Sequence, residues 1–563
     1  MDESILPFLP LLERTHSGAL QWPSHLEFAL KSLIAGPSIS EVTSPEALYD
    51  FINDLREQSQ LSLLSPAAMI GFVTYFDDLI TRADAKNFFE EVLPSIADLA
   101  FRMPVLMNDH FKQSMSVTPK IPLINLRLLK PQYSGLVYIS QELVAALLAC
   151  MFLCLYPRKG RAEARLPDIN FDGLFESISI QMPQQEQKVH CILHYFTRVT
   201  HCIPKGMLSF ERKVLPRGQE SLMHCTIRQP NQSFWSESSS SFCPLKVIKD
   251  GNIEDHNSNA LEVDFANCYL GGGVLRLGCV QQEEIRFLIS PELIAGMLFM
   301  PAMQANESIE IRGAERYSCH TGYSSSFCFA GDYVDTKPRD ALGRRRTCIV
   351  AIDALMMPGK RQYEDKLMLR EVNKAFCGFL DQMEPLLLSI SFCYTKEVHQ
   401  KGSYTDGGCG ISDDADRVLV KDEFSTLGIA TGNWGCGAFG GDMELKSILQ
   451  WIAASQAGRP FLTYFSFGVP EGGSLQQVAD WIISEGWSVG ELWNVLVDYG
   501  QRRVSGRLNE GLFKWILPNA AAIQDAQASD TPAEAHYNDL TVFSCIETAE
   551  VSHIEDSMAI DSI

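Results

Sequence analysis

Val263-Asp264-Phe265-Ala266-Asn267-Cys268-Tyr269-Leu270-Gly271-Gly272-Gly273, with the spacer 274–281 and then Gln282-Glu283-Glu284-Ile285-Arg286-Phe287, is the stretch on which the fold turns. A β-type run enters a triple-glycine loop, and the loop enters a helix whose first turn carries two acids. Glycines permit the tight turn and bring backbone N–H groups beside carboxylates or a ligand, which favours a phosphate-bearing substrate. Like charges on Asp264 and Glu283 disfavour ionisation of Glu284, which is how a glutamic acid keeps its proton near neutral pH. Glycosidic cleavage needs such an acid at the leaving oxygen and a carboxylate to activate water. Paired acids in a first helical turn also complement the macrodipole, so a purely structural reading stands beside the catalytic one.

Outward from this stretch, β-type runs at 261–265, 308–312, 347–352 and 460–468 alternate with helical patterns at 370–382 and 445–457. That alternation predicts an α/β domain with a mixed, largely buried sheet. Up to about residue 205 the periodicity is helical: Ser44-Pro45-Glu46, Ser65-Pro66 and Ser140-Gln141-Glu142 are start signals, each followed by apolar residues at three- and four-residue spacing. The expected organisation is an all-helical domain over 1–205, the α/β domain over 206–518 and an acidic, disordered tail over 519–563. The serine cluster 236–241 and the polar stretch 399–416 are expected to be flexible insertions.

The second glycine-rich segment runs Gly428-Ile429-Ala430-Thr431-Gly432-Asn433-Trp434-Gly435-Cys436-Gly437-Ala438-Phe439-Gly440-Gly441-Asp442. Gly435, Gly437 and Gly440 satisfy GxGxxG, but a dinucleotide-binding fold wants an acid about twenty residues further on. Residues 450–469 contain none. The reading retained is a diphosphate cradle, and a nicotinamide oxidoreductase is disfavoured. Cys436 has no base identifiable nearby and is expected to be structural. Aromatic residues near the loops, Tyr317, Tyr323, Phe327 and Phe329, with Phe465 and Phe467 at alternate strand positions, offer faces for a base or an ordinary core. His190 and His194 form an HxxxH pair without the glutamate of a metalloprotease, and a polar helix face is expected rather than zinc. Arg344-Arg345-Arg346 reads as a solvated turn.

Lys+Arg 47 against Asp+Glu 69 gives a formal charge of -22 over 563 residues, which disfavours generic binding to DNA or RNA. Nine of the acids lie in 519–563, where there is no Lys or Arg. The start lacks a secretion signal, and the apolar run 143–156 is too short to cross a bilayer and right for a buried helix. A soluble, intracellular chain with mostly buried, unpaired thiols is expected from its 16 cysteines, which form no CxxC.

Gly271-Gly272-Gly273, the eight-residue spacer and Gln282-Glu283-Glu284 resemble the signature of the poly(ADP-ribose) glycohydrolases, as do Thr321-Gly322-Tyr323 and the loop from Gly432 to Asp442. The resemblance extends over most of the chain, from 121–149 through Arg339-Asp340 to Phe467-Gly468. It implies an α/β fold class: a macrodomain-like mixed sheet flanked by helices, preceded by an all-helical accessory domain. It implies hydrolysis of ribose-ribose O-glycosidic bonds of poly(ADP-ribose) on modified proteins, with ADP-ribose released and no metal or organic cofactor. A non-catalytic ADP-ribose reader is the alternative. By motif, Asp264, Glu283 and Glu284 are the catalytic set, with Glu284 acid and then base, Glu283 on ribose hydroxyls and Asp264 organising the glycine loop. Ile253, Glu254, Asn267, Gly271, Gly272, Gly273 and Gln282 match ligand-contacting positions. Tyr323 and Phe467 match the adenosine surround, and Asn433, Trp434, Gly435, Cys436, Gly437, Ala438 and Phe439 match the diphosphate loop. The spacer is long for the family, and His320 stands where many animal members carry tyrosine. The compact arrangement from near Met1 resembles the plant type. A monomer without direct DNA binding, in nucleus and cytoplasm and acting in the DNA damage response, is the implied setting.

Overall fold

Ser44, Ser65 and Ser140 cap the helices Pro45–Gln58, Pro66–Val73 and Gln141–Phe152, each side chain accepting a bond from the N–H three residues on. The last of these helices is buried along its whole length, the expected fate of the apolar run at 143–156. The computed structural model describes residues 3–116, 125–217, 227–256, 259–381 and 427–517, and the stretch 399–416 and the tail 519–563 lie outside them. Among the described residues no helix is long and apolar enough to cross a membrane.

The strands are β1 (Glu13–Arg14), β2 (Leu20–Gln21), β3 (Gly135–Ser140), β4 (Met207–Val214), β5 (Leu245–Ile248), β6 (Ala260–Asp264), β7 (Glu307–Gly313), β8 (Ser318–Thr321), β9 (Cys328–Asp332), β10 (Arg345–Ala351), β11 (Gly428–Gly432) and β12 (Leu462–Phe465). Eight of them form one sheet in the order β3-β4-β7-β10-β6-β11-β12-β5. The half from β10 to β5 is parallel, and β7, β4 and β3 extend it antiparallel. The mixed, buried sheet is as expected, and it places five carboxyl-terminal strand ends on one edge, where open α/β sheets bind ligands.

Side-chain alternation divides the core. Ile349 and Ala351 of β10 pack on one face with Phe210, Ile309 and the N-terminal helices, while Cys348 and Val350 pack on the other with Val263, Ile429 and Tyr464. Three expectations need correction. The segment before 205 is not all helical: Leu136-Val137-Tyr138-Ile139, β-branched and aromatic, forms the edge strand β3, and its apolar core is continuous with the helix Gln282–Ile289. The serine cluster is not a loose insertion: Ser238 and Ser240 carbonyls accept from Gly490 and Val489 at the start of the helix Val489–Val504. Gly490 is required there, since a Cβ would sit 2.6 Å from the Ser238 carbonyl. Nor is the arginine triplet a solvated turn: Arg344 is fully buried against Asp340 and Ser209, and Arg345 pairs with Glu315. No described cysteine is in a disulfide, but only half of them are buried.

Candidate active site

The loop between β6 and the helix Gln282–Ile289 is folded around its own two glutamates. Glu283 accepts from the Asn267 amide at 2.8 Å and the Gly271 amide at 2.7 Å. Glu284 accepts from the Gly273 amide at 3.0 Å and the Gln281 amide at 2.7 Å. Such N–H bonds to carboxylates are charge-assisted and fix both oxygens of each acid. Gly272, at φ +51, closes over the pair, and a Cβ there would stand 2.8 Å from both Glu283 Oε2 and Glu284 Oε1. Gly271 is likewise at positive φ, with a prospective Cβ 2.8 Å from Met297 Sδ. Gln282 ties helix to strand, taking the Phe265 amide at 2.8 Å and donating to the Val263 carbonyl at 3.1 Å. Both ends of Gln282 are thus occupied by backbone.

It is Glu283, not Asp264, that organises the glycine loop. Both Asp264 carboxyl oxygens are buried without a hydrogen-bond partner, and the side chain faces a small cavity shared with Glu254, Gln282 and Arg286. Burial, opposed by Arg286 and reinforced by Glu284, pushes the Asp264 pKa up to about 8. Burial and then the neighbouring Asp264 and Glu284 carboxyls push Glu283 well above its ordinary value, against the pull of its two amide donors. Asp264 and Glu283 titrate as a coupled pair that retains a proton near neutral pH. Behind them, burial would raise Glu262, but Lys337 and Arg286 hold it below the usual carboxylate range. Of the three acids, Glu284 at 8 % exposure is more open than Glu283 at 3 % or Asp264 at 1 %.

The second loop is built the other way. Trp434 is fully buried, its indole donating to the Ile352 carbonyl, so the side chain anchors the loop in the core and does not face a ligand. Asn433 is pinned by Tyr464 and the Ser466 carbonyl. Gly435, at φ +73, is pressed on Ala354, where a Cβ would fall 2.5 Å from that methyl group. Phe439 packs against the core and accepts from the Met357 amide. The amides of Gly435, Gly437, Ala438 and Phe439 donate to no acceptor among the described residues. Gly437 and Ala438 are exposed. Successive unfilled amides in a turn form an anion-binding concavity. The helix Met443–Gln456 does not supply this site, because Asp442 already takes the Glu444 and Leu445 amides. Burial and Asp442 raise the Cys436 thiol above its ordinary value, leaving it unreactive as expected.

The remaining positions surround these loops. Ile253 is buried, and Glu254 is bonded to His320 Nε2 at 2.7 Å between two nearly enclosed side chains. Phe465 is core, whereas Phe467 is 45 % exposed at φ 51, because β12 ends at Phe465 and the alternation stops with it. Of the aromatic residues from 317 to 329, Tyr317 is buried on Glu292, Phe327 lies parallel to His320, and Phe329 sits against His194. Only Tyr323 among them reaches the glycine loops, its hydroxyl donating to Gln281 Oε1 at 2.6 Å. His190 bonds Tyr75 and Glu186, and His194 bonds Asp332, so the pair makes separate contacts along its helix.

Sequence reasoning missed four contributors. Gln281, passed over as spacer, touches both glycine loops: its amide holds Glu284, and a Cβ on Gly437 would lie 3.6 Å from its Oε1. Lys188 and Gln185, from the helix Pro183–His201, donate to the carbonyls of Gly273, Arg276 and Gly278. Lys446 pairs with Glu371 beneath the second loop, 4.4 Å over the Trp434 ring. The only advance signal was a Lys or Gln on otherwise apolar helix faces, which is too common to single out.

A mixed sheet with a carboxyl cluster and a loop of unfilled amides at its strand ends defines an α/β protein of the class that can bind a phosphate-bearing ligand there. Comparison with known proteins narrows the class. Residues 80–212 match the family described as "Poly (ADP-ribose) glycohydrolase (PARG), helical domain", and residues 232–472 match its "Macro domain fold". "Poly(ADP-ribose) glycohydrolase 1" of Arabidopsis thaliana is 44 % identical over 563 residues, covering 93 % of this chain and 98 % of that protein. "Probable poly(ADP-ribose) glycohydrolase 2" of the same plant is 42 % identical over 519 residues, covering 91 % and 98 %. A Caenorhabditis elegans protein, "Poly(ADP-ribose) glycohydrolase 1", is 31 % identical over 301 residues, 51 % of this chain and 32 % of that one. The chain belongs to the poly(ADP-ribose) glycohydrolase family.

Proposed function

We propose that this chain hydrolyses the ribose-ribose O-glycosidic bonds of poly(ADP-ribose) on modified proteins and releases ADP-ribose. The observation that carries the reading is the meeting of the two loops at Gln281, which sets the carboxyl cluster beside unfilled amides. The diphosphate lies on the amides of Gly435, Gly437, Ala438 and Phe439, and the adenosine part lies among Ile253, Glu254, Tyr323 and Phe467. Binding at both ends fixes the scissile ribose over Gly272, and such positioning supplies much of the rate. Glu284 donates a proton to the leaving ribose oxygen. The C–O bond breaks with oxocarbenium character, and the Glu284 carboxylate then deprotonates the water that adds to the anomeric carbon. Proton and oxygen balance, and Glu284 ends protonated as it began.

In this reading Glu283 shapes the loop and Asp264 keeps a proton within the set. The strongly negative charge of the chain supports binding through local amides and not through a basic DNA-binding surface. Action as a monomer, in nucleus and cytoplasm and in the DNA damage response, completes the proposal. Sedimentation and imaging of the tagged chain after DNA damage address those points.

The decisive experiment measures ADP-ribose release from defined poly(ADP-ribose) by the wild type and Glu284→Gln, with ADP-ribose binding to both by calorimetry. Hydrolysis by the wild type alone, with binding retained in both, supports the enzyme and its acid. Binding without hydrolysis in either makes the chain an ADP-ribose reader.

A further inference from the structure

Val280 at φ 52 and Ser324 at φ 54 are among the non-glycine residues near the site that adopt left-handed backbone. For a β-branched residue such as Val280 that conformation is an outlier, and strain of this kind persists only where surrounding contacts impose it. The two strained residues are bonded to each other, the Ser324 amide donating to the Val280 carbonyl at 3.1 Å. Their neighbours are bonded as well, Tyr323 hydroxyl to Gln281 Oε1 at 2.6 Å. Next to Tyr323, Gly322 at φ +71 admits no side chain, since a Cβ would sit 2.0 Å from the Ser326 carbonyl. The Tyr323 amide is held in turn by Ser326 Oγ at 3.0 Å. Tyr323 is 44 % exposed, and its hydroxyl is turned to this contact. The Val280 side chain is fully buried, which fixes one side of the double contact in the core.

From Gln281 the chain of contacts continues to the chemistry. Its amide donates to Glu284 Oε2 at 2.7 Å, so the position of Gln281 sets the orientation of the acid's carboxyl group. We propose that Gln281 and Tyr323 form a latch that positions Glu284 for proton transfer, the phenol hydroxyl holding Gln281 and the Gln281 amide holding the acid. Gln281 is a positioning residue here, and Tyr323 has a second duty beyond offering a ring to the ligand. The inference rests on the proposed role of Glu284.

Tyr323→Phe and Gln281→Met each remove one half of the side-chain bond and leave ring and backbone in place. The pair, the double variant and the wild type are compared for kcat and KM on poly(ADP-ribose), for ADP-ribose affinity by calorimetry, and for melting temperature. Each single variant is expected to lose about tenfold in kcat, keeping ADP-ribose affinity within about twofold. The double variant is expected to lose no more than about the same tenfold, because both changes break one interaction. A double variant whose loss is the product of the single losses overturns the latch, as does an unchanged kcat or an effect confined to KM. A wild type that releases no ADP-ribose overturns the proposed function itself. An active wild type with an inactive Glu284→Gln and unaffected latch variants overturns the latch alone.

Discussion

In the loop after β6 the amides of Asn267, Gly271, Gly273 and Gln281 donate inward to Glu283 and Glu284, whereas after β11 the amides of Gly435, Gly437, Ala438 and Phe439 donate to nothing in the described protein. Both loops are glycine rich, both follow parallel strands, and both meet at Gln281. The first closes on anions that the protein supplies. The second is left open, which is what the proposed diphosphate cradle requires. Glycine content alone is therefore silent on what a loop binds, and the destination of each amide decides.

The largest test of this contrast is Glu284→Gln, which removes the proposed proton donor and, with a single acceptor oxygen, keeps one of the two amide contacts. Turnover should fall by about 10²–10⁴-fold or more, with ADP-ribose affinity within a few-fold, as followed by product release and calorimetry. Near wild-type turnover would reduce the first loop to a structural turn. Gly272→Ala should come next: the added Cβ meets both glutamates at 2.8 Å at a positive φ. A loss of about 100-fold in kcat and roughly 1–3 kcal/mol in stability is expected, read by kinetics and chemical unfolding.

Within the open loop, a matched pair sharpens the argument. Gly435→Ala, blocked by Ala354 and by φ +73, should weaken ADP-ribose binding by about tenfold while sparing adenosine binding. Gly437→Ala, whose nearest neighbour is 3.6 Å away, should change either affinity by no more than about twofold. Equal effects at the two positions would show that shape at this loop does not govern the diphosphate.

A further test is on pH dependence. Native Asp264 keeps its proton up to about pH 8, while its ordinary value is 3.8. The stability this proton confers is full below about pH 4 and is lost as pH rises toward 8, by at most roughly 1.4 kcal/mol per unit. Asp264→Asn should therefore melt with a shallower decline between pH 5 and 8 than the wild type. A slope as steep in the variant would put the raised proton affinity elsewhere.

Much of this architecture was legible in advance where local chemistry is sufficient. Serine caps before apolar helices, the runs that became β6, β7 and β10, and the two glycine loops are all written in contiguous residues. What escaped depends on partners distant in the chain. The edge strand β3 is specified by pairing with β4 some seventy residues on, and it was hidden by the apolar helix that follows it without a break. Trp434 was matched to the diphosphate loop by motif, yet its indole is bonded to the Ile352 carbonyl and its side chain is core. The clustering of Asp264, Glu283 and Glu284 was legible in sequence, but the division of labour between Asp264 and Glu283 was not, since neighbouring carboxyls give no hint of which one the loop amides select.

The donations from Lys188 and Gln185 to the carbonyls of Gly273, Arg276 and Gly278 carry a consequence for dissecting the protein. A fragment starting at β4 would retain every acid and every glycine of the two loops, yet it would strip three carbonyls of the catalytic turn of their cationic and amide donors and uncover the edge of β4. Such an excised piece should be soluble only poorly and inert even if it folds. The helical half is then less an appendage than the back wall of the reaction chamber, and sequence changes along the helix Pro183–His201 are changes to the enzyme's chemistry at one remove.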